Sequence, residues 1–150
     1  MKSEYYETIS SEDCLIFRFE SVSEFRRIEK VITYSPFSKY KNTYNLALFD
    51  VLSNGSFSDL SVSNNLDMEK IFGTVVKSMF SFFAKNPAVS LYITGSTPAR
   101  TRLYTIIILK ELSEARNFFE IYGLNGNTKE LFVPNHKYDA FLIKYLNSAK

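Results

Sequence analysis

Where the chain runs Gly95-Ser96-Thr97-Pro98-Ala99-Arg100-Thr101-Arg102, a turn opens directly into an apolar helical run that carries two arginines at its start. Thr97 suits an N-cap and Pro98 the first helical position, where a missing N–H costs nothing. Free backbone N–H groups at Ala99 and Arg100, with the hydroxyls of Ser96, Thr97 and Thr101 beside them, are the chemistry of an anion site. Arg100 and Arg102 sharpen that reading, because a cation in the first turn opposes the helix dipole by about 0.3–1 kcal/mol. Something negative should compensate: the phosphate of a ligand, a nucleic-acid backbone, or a buried Asp or Glu of the same chain in a structural ion pair. With about 100° of rotation per residue the two guanidiniums point roughly 200° apart, so one small anion does not engage both. The stretch has neither the spacing and lysine of a P-loop nor a G-x-G-x-x-G pattern.

A second constellation interleaves rings and cations in "FRRIEKVITYSPFSKYKNTY", residues 25–44. Single-stranded nucleic acid is bound by such mixtures. Cations track the phosphates while exposed rings stack on bases, each stack worth about 1–3 kcal/mol. Arg26, Arg27, Lys39, Tyr40 and Lys41 are the candidate contacts. The overall charge of +2 is too small to imply a polyanion by itself, but its distribution is uneven. Residues 1–24 carry two basic and six acidic side chains, and residues 25–44 carry five basic and one acidic. The competing reading is a solvated segment whose cations pair with the acidic first 24 residues.

Catalytic chemistry finds less support. His136 is the one histidine and Cys14 the one cysteine, so no Cys/His zinc site can be assembled within a chain. Ser96 or Cys14 with His136 and Asp139 would supply a nucleophile, base and acid, but no G-x-S-x-G elbow is present and the spacing does not bring them together. No paired-carboxylate cluster suggests a two-metal site. No cofactor is expected. A lone Cys14 excludes an intrachain disulfide and fits a reducing compartment. "MKSEYYETIS" lacks the apolar region of a signal peptide, and no apolar run approaches the 18 or more residues of a membrane span. The expectation is a cytoplasmic protein with no membrane partner.

The elements that must position these groups follow from hydrophobic period. "LIFRFE" (15–20) alternates as a half-buried strand, "FRRIEKVITY" (25–34) reads as extended, and "TYNLALFDVL" (43–52) is apolar enough for a central strand. Asn54-Gly55 turns the chain into "FSDLSVS" (57–63) as a hairpin. A helix opens near Asp67 and Glu69, carries Ile71, Phe72, Val75, Val76, Met79, Phe80 and Phe83 as its core stripe, and stops at Pro87. Phe82 falls off that stripe and reads as a face for a dimer contact. A strand over 89–94, the second helix to about Ala115, a hairpin about Asn125-Gly126 and a final helix over about 137–148, capped by Asn135, complete the chain. The predicted fold is a single α+β domain over residues 1–150, a largely antiparallel sheet packed against two long helices plus a short C-terminal helix. Its order of elements is loosely similar to sheet-plus-helix modules of the Whirly and PUR type, an analogy of fold alone.

"GSTPARTRLY" and the downstream "FFEIYGLNGNTKELFVPNHKYDAFLI" together resemble a family of small uncharacterised bacterial proteins, of Bacteroidetes type, over roughly residues 40 to 148. The resemblance implies no activity and carries over no functional residue. The sequence therefore predicts a non-enzymatic binding protein that takes single-stranded nucleic acid or another phosphate-bearing partner through residues 25–44 and the turn before the second helix. Two alternatives from other classes are a protein–protein interaction module or homodimeric partner subunit, and a small enzyme holding an anionic substrate at that helix start.

Overall fold

The computed structural model describes residues 4–24, 26–58, 67–95, 101–102, 105 and 117–146. The chain divides into two compact units, Lys2–Tyr34 with Ala47–Lys85 and Ser35–Leu46 with Asn86–Lys150.

In the first unit, strands β1 (Ile9–Ser10), β2 (Ile16–Val22), β3 (Arg27–Pro36) and β4 (Thr43–Val51) follow in spatial order, and β5 (Phe57–Ser58) pairs with β4. Strands β3 and β4 run on into the second unit. β2 and β3 pair antiparallel from Ile16 opposite Thr33 to Val22 opposite Arg27. Alternation in β2 buries Phe17, Phe19 and Ser21 and exposes Ile16, Arg18, Glu20 and Val22. Helix α1 (Met68–Lys85) ends where Pro87 forbids continuation. Tyr34 stacks on Phe82 of α1 with ring centroids 4.4 Å apart, and the two hydroxyls of Tyr34 and Ser78 lie within hydrogen-bond distance. Phe82 is wholly buried, so the dimer face expected of it does not exist. The helix is rotated toward the sheet further than its apolar stripe implies, because Thr74 and Ser78 on the same side are buried too. Their hydroxyls donate back to the carbonyls of Lys70 and Val75, which satisfies them without water.

Two polar groups are built into this unit. Asp67, just before α1, accepts hydrogen bonds on one carboxylate oxygen from Tyr6 and from Ser21 at 2.5 Å. Lys30 of β3 forms an ion pair with Asp50 of β4, and both side chains are buried. The cation that interrupts the apolar pattern of β3 is therefore accommodated by a partner and not by solvent.

The second unit continues from β4 through β6 (Ser90–Ile93), β9 (Ala140–Tyr145), β7 (Phe119–Asn125) and β8 (Thr128–Leu131). β4 and β6 are parallel, with Tyr44 opposite Leu91, and the other pairings are antiparallel, so the sheet is mixed. One face buries Leu91, Ile93, Phe119, Ile121, Phe141 and Ile143. A fully buried side chain of this size stabilises by about 1.5–3 kcal/mol. The Asn125-Gly126 turn joins β7 to β8 as the sequence predicts, with Gly126 at φ 56. Gly123 of β7 is required by its neighbour: a Cβ there would lie 2.3 Å from the Tyr138 ring.

The predicted α+β arrangement of two long helices and a C-terminal helix is not the one observed. Among the described residues α1 is the one long helix, and nine strands dominate. Of the second expected helix, Thr101, Arg102 and Thr105 are helical, and the rest lies outside the described residues. The expected helix over 137–148 is instead strand β9. Asn135 is at φ 74 within a turn, not a cap, and the apolar run Ala140–Ile143 is flanked on both sides by β6 and β7. A short apolar run satisfies a buried strand and a helix stripe equally well, and here the two waiting ladder edges decide. The latter half of the predicted hairpin strand over 57–63 lies outside the described residues.

Two outcomes follow from these contacts. Asp50→Ala leaves the Lys30 ammonium buried and should cost about 3–5 kcal/mol in urea unfolding, whereas the joint replacement Lys30→Met with Asp50→Leu should recover much of that loss. If the single and joint variants unfold alike, the pair is not the source of the effect. Gly123→Ala should cost about 1–3 kcal/mol through the clash with Tyr138, and Tyr138→Leu in the same chain should relieve it.

Candidate functional site

The basic and aromatic segment of residues 25–44 divides where the two units divide. Its first part is committed to the sheet. Arg27 pairs with Glu20 across the β2–β3 ladder at 2.7 Å, Arg18 pairs with Glu29 at 3.1 Å, and Lys30 is buried on Asp50. Arg26 is exposed beside the tight turn in which its carbonyl accepts from the backbone N–H of Ser23 at 3.0 Å. In this part the pairing of cations with the acidic first residues is what the sequence offered as the competing reading, and Arg27–Glu20 fulfils it.

The second part is different. After β3 the chain turns, the Phe37 amide donating to the Thr43 carbonyl at 2.9 Å, and lays its rings against β6. Phe37 stacks on Tyr92 with centroids 4.3 Å apart and planes 11° apart. Tyr40 approaches both, at 5.6 Å from Phe37 and 6.1 Å from Tyr92. The Lys39 ammonium lies 5.9 Å from the centre of the Tyr40 ring, and Lys39, Tyr40 and Lys41 are all exposed. The Thr43 hydroxyl donates to the Lys41 carbonyl at 2.8 Å and so fixes the end of the turn. Three rings thus support one another, and the outermost, Tyr40, presents its surface to solvent with two lysines beside it in the chain. Burial, with Tyr40 and Asp139 nearby, holds the Tyr92 phenol above its ordinary pKa, so it remains a neutral donor.

Tyr92 was not among the candidates legible in the sequence. Its place in "VSLYIT" reads as one ring in a short apolar strand, and the contact with Phe37 and Tyr40, more than 50 residues upstream, leaves no local signal.

At the Gly-Ser-Thr-Pro turn, Ser96, Thr97 and Arg100 lie outside the described residues. Thr101 is buried and its hydroxyl accepts the Gly95 amide at 3.1 Å, which ties it to the end of the turn. Arg102 is helical and exposed. His136, read as a helix-start residue, sits in the loop before β9 with its ring 2.9 Å from the Glu130 carboxylate. That carboxylate also accepts from the Tyr138 hydroxyl at 2.5 Å, and the two contacts, Tyr138 first, hold the Glu130 carboxyl below the usual carboxylate range. Cys14 is at φ 58 in the turn before β2 and is not disulfide-bonded. Among the described residues no group of three or more His, Cys, Asp or Glu side chains has the arrangement of a metal site. No helix is long and apolar enough among those residues to cross a membrane.

No curated protein and no solved structure matches this chain. A family model does match, over residues 2–146, and on that extent the chain belongs to DUF6934, a family of unknown function.

Proposed function

We propose that this chain is a non-catalytic binding protein whose partner is single-stranded nucleic acid, held at the aromatic and basic cluster of Phe37, Lys39, Tyr40, Lys41 and Tyr92. One observation carries the reading: an exposed tyrosine braced from behind by two stacked rings, with the Lys39 ammonium beside it. A base has a π-face whatever its identity, and a rigid ring offers it a surface at little entropic cost. The lysines supply the phosphate term that gives such binding its salt dependence. Arg26, Arg27 and the Gly-Ser-Thr-Pro turn with Ser96, Thr97, Arg100 and Arg102 stand further from this reading. Arg27 is engaged on Glu20, so moving it to a phosphate would break an existing pair. The same proposal sets the protein in the cytoplasm, where the thiol of Cys14 would remain reduced.

The interaction-module alternative would use an edge of the sheet, and among the described residues β8 is one of the two strands that end the strand order. That edge is four residues long and carries Lys129 and Glu130. A short charged edge is what a sheet uses to avoid pairing with another copy.

Fluorescence anisotropy of labelled single-stranded DNA or RNA, titrated at two salt concentrations, tests the proposal. Wild-type protein should bind more weakly at the higher salt. Tyr40→Ala should lose about 1–3 kcal/mol of binding with unchanged thermal stability. Lys39→Ala should lower the slope of log affinity against log salt by about 0.7. Binding indifferent to salt and to both substitutions would contradict the proposal.

A further inference from the structure

Tyr92 is one member of a row that crosses the sheet of the second unit. It stands opposite Leu142 of β9, which stands opposite Tyr122 of β7, which stands opposite Leu131 of β8. Residues directly opposite one another share a face, so Tyr92 and Tyr122 lie on the same side of the sheet, away from the buried Leu91, Phe141 and Ile121. Tyr122 and Leu142 are half-buried and Leu131 is exposed. Two lysines flank the second tyrosine from the neighbouring strands. Lys129 of β8 holds its ammonium 4.7 Å from the centre of the Tyr122 ring, and Lys144 of β9 holds its own at 5.7 Å. The Tyr122 hydroxyl donates to Glu120 at 2.5 Å, which fixes the ring. Lys144 is the register partner of that glutamate. The local pattern resembles the first cluster: a tyrosine held in place from within the fold, with exposed lysines beside it.

We propose that Tyr122, with Lys129 and Lys144, is a second base-stacking subsite, so that one nucleic-acid strand runs across β6, β9 and β7 from Tyr40 and Tyr92 to Tyr122. The inference rests on the reading of the first cluster and deepens it. Two strand spacings separate the tyrosines, about 10 Å. That is about three steps of a stacked strand at 3.4 Å each, so an oligonucleotide of about four or more residues reaches both rings. Between them Leu142 gives an apolar floor, against which an intervening base loses no hydrogen bond. The lysines that cover Tyr122 in the free protein are not an obstacle. An exposed cation–π contact is weaker than base stacking, and a long side chain can move its ammonium to the adjoining phosphate while the base takes the ring.

A length series distinguishes the two subsites. Oligothymidylates of about two and about eight residues are titrated against wild-type protein and against Tyr40→Ala, Tyr122→Ala, Tyr122→Phe and the joint variant Lys129→Gln with Lys144→Gln, each first checked for an unaltered thermal transition. The expected result is that Tyr122→Ala weakens the longer strand roughly tenfold or more and leaves the shorter one unchanged, while Tyr122→Phe binds like wild type. Should Tyr122→Ala disturb the fold, the exposed lysine variant carries the test and should weaken the longer strand alone. If the wild type binds both lengths and Tyr40→Ala weakens them, yet neither the Tyr122 nor the lysine variant changes the longer strand, the second subsite is overturned and the first stands. If the wild type binds neither length, the reading of the first cluster falls and this one with it.

Discussion

The ladders on both sides of β9 are the constraint on which the second unit depends. β9 is the last described strand in the chain, yet it lies between β6 and β7, so the N–H and C=O groups that these two strands turn toward it are satisfied only when β9 arrives. Its residues Phe141 and Ile143 go to the buried face while Leu142 goes to the outer one. The same insertion that completes the core therefore sets Tyr92 and Tyr122 in one row. Packing and the proposed binding face are two consequences of a single register.

That register also explains which parts of the fold were readable in sequence. Elements decided locally came out as predicted: the alternation of "LIFRFE", the Asn125-Gly126 turn with its left-handed glycine, and the helix halted by Pro87. The strand β9 did not. "AFLIKY" has an apolar run too short to show a period, and only its two partners, both brought in from elsewhere, make it extended. Phe82 failed for the same kind of reason. Its place on the helix wheel lies off the main stripe, but Tyr34 of a distant strand stacks against it and buries it completely.

The candidate site was legible in half. Residue types marked 25–44 as a mixture of cations and rings, and they could not say which cations the fold would consume. β3 takes Arg27 and Lys30 into ion pairs because its cross-strand neighbours present Glu20 and Asp50, whereas the turn after β3 leaves Lys39 and Lys41 exposed beside stacked rings. A surface pair such as Arg27–Glu20 adds about 0–1 kcal/mol, and its more useful effect is to remove an arginine from the surface charge available to a partner. Tyr92 and Tyr122 were beyond reach, since their kinship is a matter of register across strands well separated in sequence.

The account's central claim is that the outer face bearing Tyr40 and Tyr92 receives the bases of a single strand. Ring-labelled tyrosine NMR tests it most directly, with oligothymidylate added stepwise at low salt. The resonances of Tyr40 and Tyr92 should shift together and saturate, and those of Tyr34, buried against Phe82, should stay where they are. Binding that leaves the Tyr40 and Tyr92 rings unmoved, or a titration that moves no ring at all, would contradict the account.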